Sequence, residues 1–278
     1  MRHKNSNNSW IDEAYFLYVE KFQTLEDLGK RYDRTPRTIR NYFDARDFVT
    51  GEKHVHKEII IPVMDATFFE WGCGLLLCRA EGRNLHWKHI ETEKVEHYGR
   101  CLDELEAIGF SFEGFVIDGR RGVLNLLQKR FPGFPVQFCQ LHQIMIVKRY
   151  IPARAKTGAA RMLRSIALRL SRTNKIQFET ALDIWHVFFG DFMNERTYSP
   201  DSKRKWRYTH RRLRSAYFSM RRNLPQLFTC QDYPKLKIPN TTNACDGLFS
   251  HLKEKIGRHR GLSKIRRKKM VNYILEKS

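Results

Sequence analysis

Apolar residues near the start of the chain recur at the three- and four-residue spacing of a helix. The first such run places its apolar positions on one face: Trp10, Ala14, Tyr18, Val19 and Phe22. Two shorter runs with the same periodicity follow before Asp44. The first part of the chain is therefore predicted to form three short helices.

Residues that favour helix starts precede the second and third of these runs. Thr24 is suited to cap a helix over Thr24–Tyr32, and Asp27 three residues later approaches the pattern of a capping box. Thr35 can cap the third helix, and Pro36 suits its first position. The short connection between these two helices predicts a helix-turn-helix arrangement.

The third helix has two chemically different faces. Its inward face is predicted to carry Ile39, Tyr42 and Phe43. Its outward face, near the helix start, carries Arg37, Thr38, Arg40 and Asn41. Arginine pairs with guanine edges and asparagine with adenine, and Thr and Arg also bind phosphate, so this face suits a DNA recognition helix. A helical hairpin with a polar outer face and no DNA contact would show the same pattern.

Beyond a polar linker over residues 44–57, the pattern changes to short apolar runs separated by turns, which is typical of strands. Three runs predict an antiparallel meander: Glu58–Phe69, Gly72–Ala80 and Asn84–Thr92. Helices and strands then alternate, over Val95–Ile108, Phe112–Ile117, Val123–Phe131, Pro135–Cys139 and from Leu141 onward. This order predicts an α/β fold with a mixed sheet. Residues 151–235 are predicted to be mainly helical, with closing helices over Gly247–Leu275.

Composition narrows the class of protein. Hydrophobic residues make up 41% of the 278 residues, enough for a packed core. The net charge of +21 predicts a polyanionic partner, and no apolar run approaches the roughly 20 residues that span a bilayer. The six cysteines show no paired C-x-x-C spacing, and the first residues lack an apolar signal-peptide core. We therefore expect a cytoplasmic nucleic-acid protein with reduced thiols and no membrane partner.

The charge is unevenly distributed along the chain. Residues 61–118 hold eleven acids and five Lys or Arg, whereas residues 148–176, 203–222 and 253–269 each hold nine Lys or Arg. These basic stretches could be solvated helix faces. Three of them beside one acidic segment favour a DNA-binding surface around a metal-binding centre.

Three aspartates are candidates for that centre. Asp65 interrupts the most apolar strand, Asp118 follows a later strand, and Asp246 precedes the apolar positions of a closing helix. Each has an ordinary alternative: a surface position, an Asp-Gly turn and a first-turn helix acid, respectively. Together they predict metal-assisted phosphoryl transfer with two divalent ions, Mg²⁺ or Mn²⁺, and no nucleophilic Ser or Cys motif competes.

A fourth candidate joins a strand to a helix. Cys139 and His142 have the spacing of half a zinc site, but no second pair stands at a suitable distance along the chain. We therefore expect a structural role for this pair, in support of the metal ligands.

Over nearly its whole length, the chain resembles the Mutator-like transposases of bacterial insertion sequences. The segments around these residues carry the resemblance. They read VMDATFF around Asp65, VIDGRRG around Asp118, FCQLHQ, and NTTNACDGLFSHLKEK followed by HRGL. Asp118 and Cys139 are 21 residues apart, close to the distance at which such relatives place a Cys-x-x-His after the second aspartate.

The resemblance implies a ribonuclease H-like mixed sheet with a helical insertion, preceded by a small all-α helix-turn-helix head. The implied parts are residues 1–50 for the head and linker, 51–150 for the first part of the catalytic domain, 151–239 for the insertion and 240–278 for closing helices. The implied metal ligands are Asp65, Asp118 and Asp246. Many such enzymes use Glu as the third acid, so Glu254 stands as an alternative to Asp246.

The function expected on this basis is that of a Mg²⁺- or Mn²⁺-dependent DNA transposase of an insertion sequence. It would cleave and transfer strands at element ends, bind terminal inverted repeats and target DNA as a homo-oligomer, and act at the bacterial nucleoid. The alternative is a catalytically decayed or truncated transposase that only binds DNA.

Overall fold

The computed structural model describes residues 9–48, 57–198 and 205–278. Three helices come first, as predicted: α1 (Ser9–Lys21), α2 (Leu25–Tyr32) and α3 (Pro36–Ala45). Both halves of the capping box between Thr24 and Asp27 are present, and the Thr35 side chain accepts a hydrogen bond from the Thr38 amide. Most of the predicted linker, residues 49–56, lies outside the described residues.

A five-stranded mixed sheet forms the centre of the molecule. The first seven described strands are β1 (Glu58–Ile60), β2 (Val63–Glu70), β3 (Cys73–Ala80), β4 (Arg83–Ile90), β5 (Phe110–Phe112), β6 (Phe115–Ile117) and β7 (Val136–Phe138). The central sheet has the order β4-β3-β2-β6-β7. The meander β2-β3-β4 is antiparallel, and β6 joins β2 and β7 in parallel. The predicted mixed α/β sheet is confirmed.

Two predicted strands are each divided in two, which corrects the sequence interpretation. The run Glu58–Phe69 breaks before Pro62, which has no amide hydrogen to continue a ladder. The run Phe112–Ile117 breaks at Gly114, where a Cβ would lie 3.2 Å from the Pro135 carbonyl oxygen. The strands that precede these two breaks, β1 and β5, pair with each other in parallel as a separate two-stranded sheet.

Helices flank the sheet and form a large insertion. They are α4 (Val95–Ala107), α5 (Arg121–Arg130), α6 (Gln140–Tyr150), α7 (Gly158–Leu168), α8 (Lys175–Asn194), α9 (Arg211–Leu227), α10 (Thr229–Asp232), α11 (Asn243–Arg258) and α12 (Lys264–Glu276). The segment predicted to be mainly helical also contains a hairpin of β8 (Arg196–Tyr198) and β9 (Trp206–Tyr208). Among the described residues, no helix is both long enough and apolar enough to cross a membrane.

The alternation of side chains along the strands divides the core between the two faces of the sheet. Leu76 and Cys78 of β3 belong to the core shared with α4, α5 and the insertion. Leu75 and Leu77 belong to the core shared with α11, α12 and the three-helix head. The sheet is thus covered on both faces, as its apolar strands require.

Buried amides attach the insertion to the edge of the sheet. The side-chain nitrogens of Gln137 and Gln140 donate to the Leu227 carbonyl at 2.9 and 2.8 Å, and the Gln137 side-chain oxygen accepts from the Cys230 amide at 2.8 Å. Both glutamines are buried, so these bonds satisfy groups that would otherwise destabilise the fold. The end of α9 is thereby fixed beside β7.

The three-helix head packs on the closing helices. The Tyr15 ring stacks on Phe48 at 3.8 Å and meets Tyr273 edge-on at 5.0 Å. The Arg266 guanidinium forms two hydrogen bonds with Asp44, and the Lys269 ammonium donates to backbone carbonyls at the end of α3.

The domain boundaries expected from the sequence remain a prediction.

Candidate metal centre

Strand register places the first two predicted acids on one face of the sheet. Val63 of β2 stands opposite Val116 of β6 in the parallel pair, and both belong to the core under α11. Asp65 and Asp118 each come two residues later. Since side chains alternate with a period of two, both should face the same side as the valines.

Helix α11 brings the third predicted acid to that face. Its first turn packs on β2 and β3, where the Cys245 thiol contacts the Val63 carbonyl at 3.7 Å and the Arg79 guanidinium donates to the Ala244 carbonyl at 2.7 Å. Asp246 follows directly in this turn. Burial of Cys245 and Leu248 therefore fixes the side of the helix from which Asp246 reaches the sheet.

Three side chains converge at this position: Asp65, His142 and Asp246. One ligand atom of each lies within 4.8 Å of the other two. Asp65 and Asp246 meet here although 181 residues separate them along the chain. The Asp65 side chain is buried, with only 4% of its surface exposed. Two carboxylates and one imidazole are a ligand set that suits a divalent cation.

Burial dominates the electrostatics of Asp65. It raises the pKa of this carboxyl to about 7, and the neighbouring Asp118 and Asp246 carboxylates act in the same direction. His142 and a 2.8 Å hydrogen bond from the Ala66 amide oppose the shift. The protein alone thus leaves the Asp65 charge incompletely compensated, which is the condition a bound cation would relieve.

His142 is the cationic member of the cluster when no metal is bound. Its hydrogen bond with Cys139 raises its pKa to about 9 against the effect of burial, and the carboxylates of Asp65 and Asp246 add to the rise. Burial raises the pKa of the Cys139 thiol, but hydrogen bonds from His142 and Thr242 outweigh it, so the net shift is downward. His142 can therefore serve as a counter-charge or, once deprotonated, as a ligand.

One threonine links the parts of the cluster, and the sequence interpretation missed it. The Thr242 hydroxyl lies 3.4 Å from the Cys139 sulfur, 3.3 Å from His142 Nδ1 and 3.4 Å from Asp246 Oδ2. Cys139 also accepts hydrogen bonds from the amides of His142 and Thr242. The polar run before α11 was the available signal, but it indicated a helix start and not a contact with Cys139.

Asp118 stands at the margin of the cluster. Its Oδ1 accepts a 3.1 Å hydrogen bond from the Arg120 amide, across the turn in which Gly119 has a φ of 93°. It is not among the three side chains within 4.8 Å of one another, yet it is near enough to raise the pKa of Asp65. The structure therefore brings Asp65, His142 and Asp246 together, and Asp118 lies next to this cluster without belonging to it.

Glu254 lies away from this cluster. It follows Asp246 by eight residues, which is about 12 Å along the helix axis. Its carboxylate is exposed and pairs with Arg258 one turn further on, at 2.5 Å. Of the two alternatives for the third acid, Asp246 is the one that meets Asp65.

The predicted DNA-contacting residues occupy the outer face of α3. Arg37, Arg40 and Asn41 are exposed, and Thr38 is half-buried with its hydroxyl bonded to Thr35 at 2.8 Å. Tyr42 was expected inside, but it is 40% exposed, with its ring edge against Trp10.

The chain matches no protein-family model and no curated protein. Among solved structures it is similar to the Drosophila P element transposase strand transfer complex, at 12% sequence identity and a TM-score of 0.39. The match covers 99% of this chain and 93% of that one. At this distance the likeness identifies neither the fold family nor the reaction.

Proposed function

We propose that this protein is a DNA transposase of the Mutator-like type, with a ribonuclease H-like catalytic domain that cuts and joins DNA strands with divalent metal ions. The observation that carries the proposal is the convergence of Asp65 and Asp246 on one sheet face, with His142 of α6 beside them and Asp118 directly after the neighbouring strand β6. A buried carboxylate whose charge is poorly compensated is costly to a fold and useful to a metal site.

In this proposal Asp65, Asp118 and Asp246 hold Mg²⁺ or Mn²⁺. Two such ions supply activation of a water or 3′-hydroxyl and stabilisation of the leaving oxygen. Asp65 provides the fixed central ligand because its strand is buried on both sides. Thr242 and Cys139 orient His142 and Asp246 through their shared hydrogen bonds.

DNA binding is assigned to two groups of residues. Arg37, Thr38, Arg40 and Asn41 would contact an element end, the terminal inverted repeat, through the outer face of α3. The three basic stretches would bind phosphates of that end and of target DNA, so duplex binding should weaken steeply as salt rises. Assembly of a homo-oligomer on paired ends and action at the bacterial nucleoid belong to the same proposal.

The test is cleavage and strand transfer on DNA that carries the element's terminal repeats, with Mg²⁺ or Mn²⁺. We expect Asp65→Ala, Asp118→Ala and Asp246→Ala each to lower the rate by at least about a thousandfold while duplex binding persists, because each removes a ligand of the reacting ions. Glu254→Ala is the matched control on α11 and should retain activity.

Two outcomes would change the assignment. Wild-type protein that binds duplex DNA but never cleaves it would favour a catalytically decayed transposase that acts only as a DNA-binding protein. Loss of cleavage in Glu254→Ala together with full activity in Asp246→Ala would transfer the third ligand to Glu254.

A further inference from the structure

A cavity opens beside the candidate metal centre, between the end of α6 and one side of α9. Its volume is about 620 Å³, within the roughly 300–1,000 Å³ that small-ligand sites occupy. Gly119, the residue after Asp118, forms part of its wall. We define this arginine–aromatic pocket by six of its lining residues: Arg149, Arg211, Arg214, Arg222, Tyr208 and Phe218.

The pocket carries positive charge that the protein does not neutralise. Over residues 9–48, 57–198 and 205–278, no ion pair joins Arg149, Arg211 or Arg222 to a carboxylate. Arg121 lies beside them and donates to the Arg222 carbonyl, and burial and the Arg222 charge lower its pKa. Like charges gathered in a concave site favour an anionic occupant such as a phosphate.

Aromatic rings share the pocket with these arginines. The Arg214 guanidinium lies 3.7 Å from the Tyr208 ring centre and 5.0 Å from that of Phe218, so it holds both rings by cation–π contacts. Phe218 is nevertheless 46% exposed. An exposed ring next to unpaired arginines is suited to stack on a nucleic-acid base while the arginines bind its phosphates.

A buried hydrogen-bond network makes the floor of the pocket rigid. Gln143 donates to the Ser219 hydroxyl at 3.0 Å and accepts from Asn223 at 2.8 Å, and Asn223 accepts from Arg121 at 2.8 Å. These bonds join α9 to α6 and to the first residue of α5, three residues after Asp118. The pocket is therefore held in place relative to the candidate metal centre.

We propose that the arginine–aromatic pocket holds one unpaired nucleotide of a DNA strand whose neighbouring phosphate lies at the metal centre. This proposal rests on the proposed function. In a duplex the bases are stacked on each other, so a ring inside a cavity can stack only on a base that has left the helix. Phosphate contacts alone would need the arginines and not the aromatic rings.

The experiment measures binding by fluorescence anisotropy in EDTA, with a short fluorescein-labelled oligo-dT strand and a duplex of the same length as probes. Phe218→Leu keeps the apolar volume but removes the ring, and Phe218→Tyr keeps the ring. Phe188→Leu, at an exposed phenylalanine on α8 outside the pocket, is the matched control. We expect Phe218→Leu to weaken single-strand binding about tenfold and leave duplex binding unchanged, with wild-type affinity in both other variants.

Three results would overturn the proposal: unchanged single-strand affinity in Phe218→Leu, an equal loss for strand and duplex, or an equal loss in Phe188→Leu. Displacement of the labelled strand by free deoxynucleoside triphosphate at a lower concentration than by unlabelled oligo-dT would assign the pocket to a mononucleotide instead. Because the assay contains no cleavage step, its failure would leave the aspartate variants to judge the proposed function separately.

Discussion

Asp65 occupies a position where packing alone would favour an apolar side chain. Its strand neighbours Met64 and Val63 are buried in the two cores of the sheet, and Asp65 itself is almost fully covered. Burial raises the pKa of its carboxyl to about 7, above the unfolded value. An acid with a raised folded pKa destabilises the fold once the pH exceeds its unfolded pKa, and this cost is complete above the folded value.

Removing this charge should therefore stabilise the metal-free protein. We expect Asp65→Asn to raise the melting temperature by roughly a few degrees in EDTA at about pH 8. At this pH the wild-type carboxylate is ionised, so the substitution removes a buried charge. The same variant should lose DNA cleavage. Thermal unfolding followed by circular dichroism measures the first effect.

Metal ions should oppose this difference in melting temperature between the wild type and Asp65→Asn. Mg²⁺ or Mn²⁺ is expected to raise the melting temperature of the wild type and not of Asp65→Asn, because only the wild type keeps the central ligand. Asp191→Asn, at an exposed aspartate of α8, controls for a general charge effect. Equal metal-induced shifts in all three proteins would contradict a cation site at Asp65.

The residues of the centre differ in how far the sequence revealed them. Asp65 and Asp246 could be identified because a carboxylate inside an apolar strand and an acid in the first turn of an amphipathic helix are visible locally. His142 could be found only as half of a Cys-x-x-His pair, which suggested zinc or support. Its position beside Asp65 depends on how α6 leaves β7, and no local pattern encodes that geometry.

At the scale of elements, the sequence predicted the order of strands and helices but not where the chain is interrupted. Pro62 and Gly114 divide two apolar runs because one lacks a ladder donor and the other meets the Pro135 backbone closely. The hairpin of β8 and β9 was missed since each strand has only three residues, Arg196–Tyr198 and Trp206–Tyr208, within an arginine-rich helical context.

The attachment of α9 to β7 depends on buried amides, and its strength can be measured. We expect Gln137→Met to lower the free energy of unfolding by about 1–3 kcal/mol, because the Cys230 amide would lose its side-chain acceptor inside the protein. Urea denaturation gives this value. Gln128→Met, at an exposed position of α5, should change it little, and a similar loss in both variants would argue against the role of the Gln137 bonds.

At the scale of the whole molecule, the head and the closing helices share one core. Ile11, Val19 and Ile39 of the head belong to the same buried cluster as Leu252 and Ile274. The sequence showed the apolar faces of the three helices but not which elements cover them. Their partners lie more than two hundred residues later, so local periodicity could not identify them.

His259 sits at this junction and should make it sensitive to acid. Its ring lies 4.3 Å from Tyr18, its Nε2 is buried without a hydrogen-bond partner among the described residues, and burial lowers its pKa. Since the unfolded chain takes up the proton more readily, stability should fall as the pH drops below about 6.5 and through the folded pKa.

A ring that cannot be protonated should remove this part of the acid sensitivity. We expect the melting temperature of His259→Phe to fall less than that of the wild type between about pH 7.5 and 5.5. Parallel curves for the two proteins would show that protonation of His259 does not weaken the junction.

The shared core also has a consequence for synthesis on the ribosome. The head emerges before the sheet, yet the partners of its apolar face, α11 and α12, are the last described elements to be made. A nascent chain must therefore carry an incompletely covered head until α11 and α12 have been made. Asp246 arrives with the same late segment, so a partly translated chain would lack both the docked head and the completed acidic cluster.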